Sequence, residues 1–154
     1  MKKLNIAIIG LGNIGSYLFN YLKKNKKILT KKNNCLPVIK YISAKNKNKN
    51  RNIRFKKDQW LKNYLDSTKL KDVDLIIELI GGAEGPAKKL VFNALKNKKH
   101  VVTANKALIS KYGNQLAEIA EKNKVNLEFE ASVCGGVPII RSLKDGLIAN
   151  KISK

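Results

Sequence analysis

The chain has 154 residues, 44% of them apolar, and 32 Lys and Arg against 11 Asp and Glu give it a formal net charge of +21. That is about one domain's length with enough apolar residues for a core and no low-complexity tail, so intrinsic disorder is not implied. The longest apolar run, Ile6 to Gly12, is too short to span a bilayer, and no signal-peptide cleavage pattern follows the Met1-Lys2-Lys3 start.

Leu4–Ile9 is a fully apolar, Ile-rich run closed by Gly10, the pattern of a buried parallel strand. Ile14, Leu18, Tyr21 and Leu22 then recur at helical spacing to about Asn25, and Lys26–Asn34 reads as a polar loop. Leu36–Ser43 returns to a strand, Ala44–Asn52 is an exposed polar loop, and Asp58 starts a helix carrying Trp60, Leu61, Tyr64 and Leu65. Val73–Ile80 is a second buried strand, followed by a helix that opens at Pro86 and buries Ala87, Leu90, Val91, Ala94 and Leu95. His100–Thr103 is a short strand, Tyr112–Lys122 a helix with Leu116, Ile119 and Ala120 inward, and Val125–Ala131 a further strand. An amphipathic helix begins at about Ile139, and the chain reads as cut at Lys154. Strands alternating with helices predict an α/β fold: a doubly wound parallel sheet in three layers, with no internal repeat.

Gly10-Leu11-Gly12-Asn13-Ile14-Gly15 is a G-x-G-x-x-G placed between a buried strand and a helix, the context a dinucleotide site requires. Gly10 permits the turn out of the strand, a side chain at Gly12 would keep a diphosphate from the backbone, and Gly15 lets the helix lie close to the sheet. The amides and dipole of the helix start then hold the diphosphate. The other reading is a glycine-rich turn that binds nothing.

An NAD-preferring site places an acid at the end of the second strand. Here residues 1–57 hold sixteen Lys or Arg and no acid, and the strand ends in Ile42-Ser43-Ala44-Lys45. Ser43 and Lys45 suit a 2′-phosphate, so NADP(H) is favoured over NAD(H), with use of both open. The basic excess also admits nucleic-acid binding. Only three of the basic residues are Arg, however, and aromatics at 6% do not interleave with them. Drift toward Lys and Asn on solvated faces is preferred, so neither nucleic acid nor membrane is an expected partner. Cys35 and Cys134 lie far apart and form no metal-spaced set, which points to a reduced, cytoplasmic protein, with Cys134 a small buried residue.

Three further segments are more specific. Glu78-Leu79-Ile80-Gly81-Gly82-Ala83-Glu84-Gly85-Pro86-Ala87 and Val101-Val102-Thr103-Ala104-Asn105-Lys106 both leave strands at the carboxyl edge, where ligands bind in such sheets. With Phe129-Glu130-Ala131-Ser132-Val133-Cys134-Gly135-Gly136-Val137-Pro138, in that order, the chain resembles the homoserine dehydrogenases over nearly its whole length, most loosely from about Lys23 to Lys71.

The resemblance implies a Rossmann-type NAD(P)-binding domain over residues 1–137 and the start of a catalytic and dimerising α+β domain over 138–154, the rest of which is missing. It implies NAD(P)H-dependent reduction of L-aspartate 4-semialdehyde to L-homoserine, on the route to threonine, methionine and isoleucine, by a homodimeric or tetrameric parent. Gly10, Leu11, Gly12, Asn13, Ile14 and Gly15 match the family's cofactor loop; Gly81, Thr103 and Lys106 match its nicotinamide side, with Lys106 in the active site. Glu130, Val133, Gly135 and Val137 match a sodium site built largely from backbone carbonyls. The isolated chain is expected to bind cofactor weakly and to turn over little or no substrate.

The residues themselves agree with that chemistry. Hydride reaching an aldehyde carbon leaves charge on oxygen, which a cation or donor such as Lys106 would stabilise. Glu130 is either an oxygen ligand near a hard cation or an ordinary strand acid. His100 reads as a strand-edge residue. A non-catalytic nucleotide-binding module on the same fold is the rival reading.

Overall fold

The run Ile6-Ala7-Ile8-Ile9 carries no polar side chain because both of its faces are covered. Ile6 and Ile8 pack with Leu11, Phe19, Ile42 and Ile77, while Ala7 and Ile9 pack with Val73, Ile76, Leu90 and Leu95. Successive strand residues point to opposite faces, so a single sheet separates two apolar clusters and the fold has three layers. A computed structural model describes residues 1–133, 135 and 137–146. The strands are β1 (Lys2–Ile9), β2 (Cys35–Ser43), β3 (Leu75–Glu78), β4 (His100–Thr103) and β5 (Leu127–Glu128), all parallel, in the order β2-β1-β3-β4-β5. The α/β Rossmann-type architecture expected from the alternation of strands and helices is the one observed.

Helix α1 (Asn13–Lys24) covers one face, where Phe19 is fully buried. Burying a side chain of that size stabilises by roughly 1.5–3 kcal/mol. Helices α3 (Pro86–Lys96) and α4 (Lys106–Asn123) cover the other face through Leu90, Val91, Ala94, Leu95, Leu108 and Leu116. The chain passes from β1 to β2 on one side and then to β3 on the other. This reversal opens a crevice at the carboxyl ends of β1 and β3, where ligands bind in open α/β sheets. There Gly10 N–H donates to the Ser43 carbonyl at 2.9 Å, and Leu79 N–H donates to the Ile9 carbonyl at 2.8 Å.

Several elements differ from the sequence expectations. Lys26–Asn34 is not a loop: Lys26–Asn33 is helix α2, packed on β2. Its polar surface hides the helical period, but Thr30 and Asn33 donate back to the carbonyls of Lys26 and Leu29, and Lys31 and Lys32 complement the dipole in its last turn. The helix expected from Asp58 is replaced by two short 3-10 turns, Lys57–Gln59 and Tyr64–Thr68. Gln59, at the end of the first, donates to the Ile39 carbonyl, and Leu61 N–H, between them, to the Ile42 carbonyl, so this segment pairs with the edge of β2 instead of coiling. The strand Val73–Ile80 contracts to Leu75–Glu78, and Val125–Ala131 to Leu127–Glu128 with a 3-10 turn at Glu130–Ser132. α4 begins at Lys106, six residues before the expected start, because Asn105 caps it by accepting Leu108 N–H at 3.1 Å. The expected helix from Ile139 is a short α5 (Ile139–Arg141) continued by a π turn at Ser142–Gly146. Cys134 lies outside the described residues; Cys35 is a half-buried free thiol. Among the described residues, no helix is long and apolar enough to cross a membrane.

Candidate functional site at the carboxyl edge

Four glycines at this edge are glycine for different reasons. Gly10 has φ +104°, and a Cβ there would lie 2.4 Å from the Leu79 carbonyl group. A Cβ on Gly15 would lie 2.0 Å from the Gly10 carbonyl oxygen. Protein packing alone therefore demands these two. Gly81 has φ +85°, which only glycine adopts without strain. Gly12 is unlike all three: its φ of −74° and ψ of −161° suit any residue, and no protein atom lies within 4 Å of where its Cβ would stand. That space is open to a ligand. Gly12 is also the N-cap of α1, whose first turn has neither a capping side chain nor an acid. The first amides of α1 thus keep their donors for an outside acceptor.

At the end of β3, Glu78 is fully buried. Its Oε1 accepts the N–H groups of Ile80 at 2.7 Å and Gly81 at 3.1 Å, and its Oε2 accepts the Thr103 hydroxyl at 2.5 Å. Thr103 Oγ1 in turn accepts Asn105 N–H at 3.1 Å, and Asn105 Nδ2 donates to the Gly82 carbonyl at 2.7 Å. Lys106, the next residue, is exposed, and its ammonium has no hydrogen bond or ion pair among the described residues. Farther along the same loop, Glu84 pairs with Lys111 at 2.7 Å and Lys88 at 3.2 Å, and accepts the Tyr112 hydroxyl. The bonds from Lys111 and Tyr112 hold its carboxyl down to about 2.

Ser43 is buried and donates its hydroxyl to the Leu61 carbonyl at 3.0 Å, while Lys45 points into solvent. The cation that lies against the glycine loop is Arg51, whose Nε donates to the Leu11 carbonyl at 2.9 Å. Its guanidinium also braces the Ala44–Asn52 loop through the carbonyls of Lys49 and Asn46, and it lies 6.0 Å from the Trp60 ring centroid. Sequence reasoning passed over Arg51 because it sits in the most polar stretch; its being one of three arginines among thirty-two basic residues was the available signal.

Glu130 turns its carboxylate to the start of α5, accepting Ile140 N–H and Arg141 N–H at 3.0 Å each. Its main-chain carbonyl accepts Val133 N–H at 3.1 Å, and the Val137 carbonyl accepts Ile139 N–H at 2.8 Å. An ion here would meet the remaining lone pairs of these carbonyls and of the Glu130 carboxylate. Val133 is half-buried and Gly135, at φ +61°, is exposed. No cluster of three or more His, Cys, Asp or Glu occurs among the described residues.

Residues 10–130 match the family model described as homoserine dehydrogenase, NAD binding domain. The chain belongs to this family. It is 38% identical over 154 residues to homoserine dehydrogenase of Bacillus subtilis, which covers all of this chain and 35% of that protein. A solved homoserine dehydrogenase from Thiobacillus denitrificans superposes with a TM-score of 0.86 at 35% identity, over 99% of this chain and 35% of that one. A hyperthermophilic archaeal homoserine dehydrogenase in complex with NADPH shares the fold, with a TM-score of 0.71 at 20% identity over 92% of this chain and 48% of that one. The chain thus spans about 35% of the length of these first two relatives.

Proposed function

We propose that this chain is the NAD(P)H-holding part of an enzyme that reduces L-aspartate 4-semialdehyde to L-homoserine. The open space at Gly12 supports this reading most directly: neither the backbone nor any packed neighbour requires glycine there, whereas a diphosphate drawn onto the amides of α1 does. Gly10, Leu11, Asn13, Ile14 and Gly15 complete the loop that receives it. Arg51, hydrogen-bonded to Leu11, is the first candidate to hold a 2′-phosphate, with Lys45 and Ser43 behind it. NADP(H) is therefore the preferred cofactor.

Bound NAD(P)H supplies hydride to the aldehyde carbon. Gly81 and Thr103 would line the nicotinamide end, and Lys106 would hold the oxygen on which charge collects and pass it the proton that completes the alcohol. Lys106 suits that role because its ammonium is unpaired among the described residues and stands one residue beyond the Asn105 cap. Residues 1–137 form the cofactor domain, and 138–154 open the catalytic domain of a homodimeric or tetrameric parent. The carbonyls of Glu130, Val133, Gly135 and Val137 would hold a sodium ion at that junction, the Glu130 carboxylate staying on α5.

The test is a titration of the 154-residue chain with NADPH, read by nicotinamide fluorescence. Saturable binding that Gly12→Val abolishes supports the reading. No binding up to about 1 mM, a free energy weaker than about −4 kcal/mol, refutes it.

A further inference from the structure

We infer that Glu78 is a positioning residue that locks the Ile80–Gly82 turn and the N-terminus of α4, and so Lys106, into one fixed relation. The role presupposes the dinucleotide reading above. Its basis is a closed ring of hydrogen bonds: Glu78 holds the amides of Ile80 and Gly81, Gly82 accepts from Asn105, Asn105 donates its N–H to Thr103, and Thr103 donates back to Glu78. Asn105 leaves the ring through its Oδ1, which caps α4 at Leu108.

A fully buried carboxylate is costly unless its oxygens are hydrogen-bonded, and here three donors meet them. What a carboxylate adds is direction. It only accepts, so the three donors around it must all point inward, and the Thr103 hydroxyl is left to accept from Asn105. A glutamine could keep both amide bonds on its oxygen. Its NH2 would then face a Thr103 oxygen that already accepts from Asn105, and the hydroxyl proton of Thr103 would have no acceptor in the ring. Glu78→Gln therefore preserves shape and breaks the ring at one known bond.

Hydrogen exchange on the 154-residue chain tests the coupling without ligand. In Glu78→Gln and Thr103→Val, the Leu108 amide is expected to exchange about tenfold faster, although Glu78 has no hydrogen bond to Leu108, while Leu90 in the α3 core keeps its rate. Thr103→Ser, which retains the hydroxyl, is expected to restore the slow rate. In binding, Glu78→Gln is expected to weaken NADPH about tenfold and adenosine 2′,5′-bisphosphate, which lacks the nicotinamide half, by less than about twofold.

An unchanged Leu108 rate, a Leu90 rate that rises with it, or equal losses for the two nucleotides would each overturn the inference. If the wild-type chain bound neither nucleotide, the dinucleotide reading would fall. That failure is distinguishable from failure of the ring, because the exchange rates require no ligand.

Discussion

Two loops meet at the same edge of the sheet and are built by opposite means. The loop between β1 and α1 takes its shape from missing atoms: Gly10 and Gly15 are in contact with backbone that a Cβ would strike, and α1 starts without a capping side chain. The loop between β3 and α3 takes its shape from added bonds, with Glu78 at its base and Glu84 farther along tied to α4 through Lys111 and Tyr112. The first leaves its amides open to a ligand; the second satisfies its own amides at Ile80 and Gly81 and orients the start of α4. One loop leaves its donors facing outward; the other holds its neighbours still.

This contrast can be broken most severely at Gly15. In Gly15→Ala the new Cβ would stand 2.0 Å from the Gly10 carbonyl oxygen, a backbone atom with no rotamer to escape through. Urea denaturation should show a loss of about 3 kcal/mol, the upper end for overpacking, together with loss of NADPH binding. Gly12→Ala should separate the two effects. Its Cβ meets no protein atom within 4 Å, so the stability loss should stay below about 1 kcal/mol, the difference between glycine and alanine as N-cap. NADPH affinity should nevertheless fall about thirtyfold, or about 2 kcal/mol, in a fluorescence titration. A large stability loss with retained binding would reverse the meaning given to this glycine.

A smaller effect separates the two candidate cations. Arg51→Ala should weaken NADPH about tenfold while barely touching NADH, as expected for a charge-assisted bond to a 2′-phosphate. Lys45→Ala should change either by less than about twofold. Equal losses of NADPH and NADH in Arg51→Ala would leave only its brace to the Leu11 carbonyl. The smallest effect belongs to Glu84. Lys111 and Tyr112 hold its carboxyl at about 2 against an ordinary 4.5, so its contribution is complete above pH 4.5 and is lost as pH falls toward 2. Amide shifts of Ala83 and Gly85 followed by NMR should titrate with a midpoint near 2 in place of the ordinary 4.5, and Glu84→Gln should flatten them. Because the pair is exposed, global stability should hardly respond.

The buried strands and the glycine loop were legible because burial on both faces leaves an uninterrupted apolar run, and because steric exclusion writes itself as glycine at fixed spacing. Ile6–Ile9 and Leu75–Ile77 show the uninterrupted run, and the inward face of α3 shows the helical period. Polar elements gave no such periodic signal. Helix α2 has no buried residue, and the segment after Asp58 abandons helix because the edge of β2 offers it hydrogen bonds.

Local pattern thus determined the order of the five strands and of helices α1, α3 and α4, the sheet's buried centre and the loop at which a diphosphate is proposed to rest. Folding in three dimensions decided which charges meet that loop. Arg51 reaches Leu11 across forty residues, and Glu78 reaches Thr103 across twenty-five. Such bonds depend on strand order and register, which hydrophobic periodicity does not encode: the pairing of Glu78 with Thr103 exists only because β3 and β4 are neighbours in matched register.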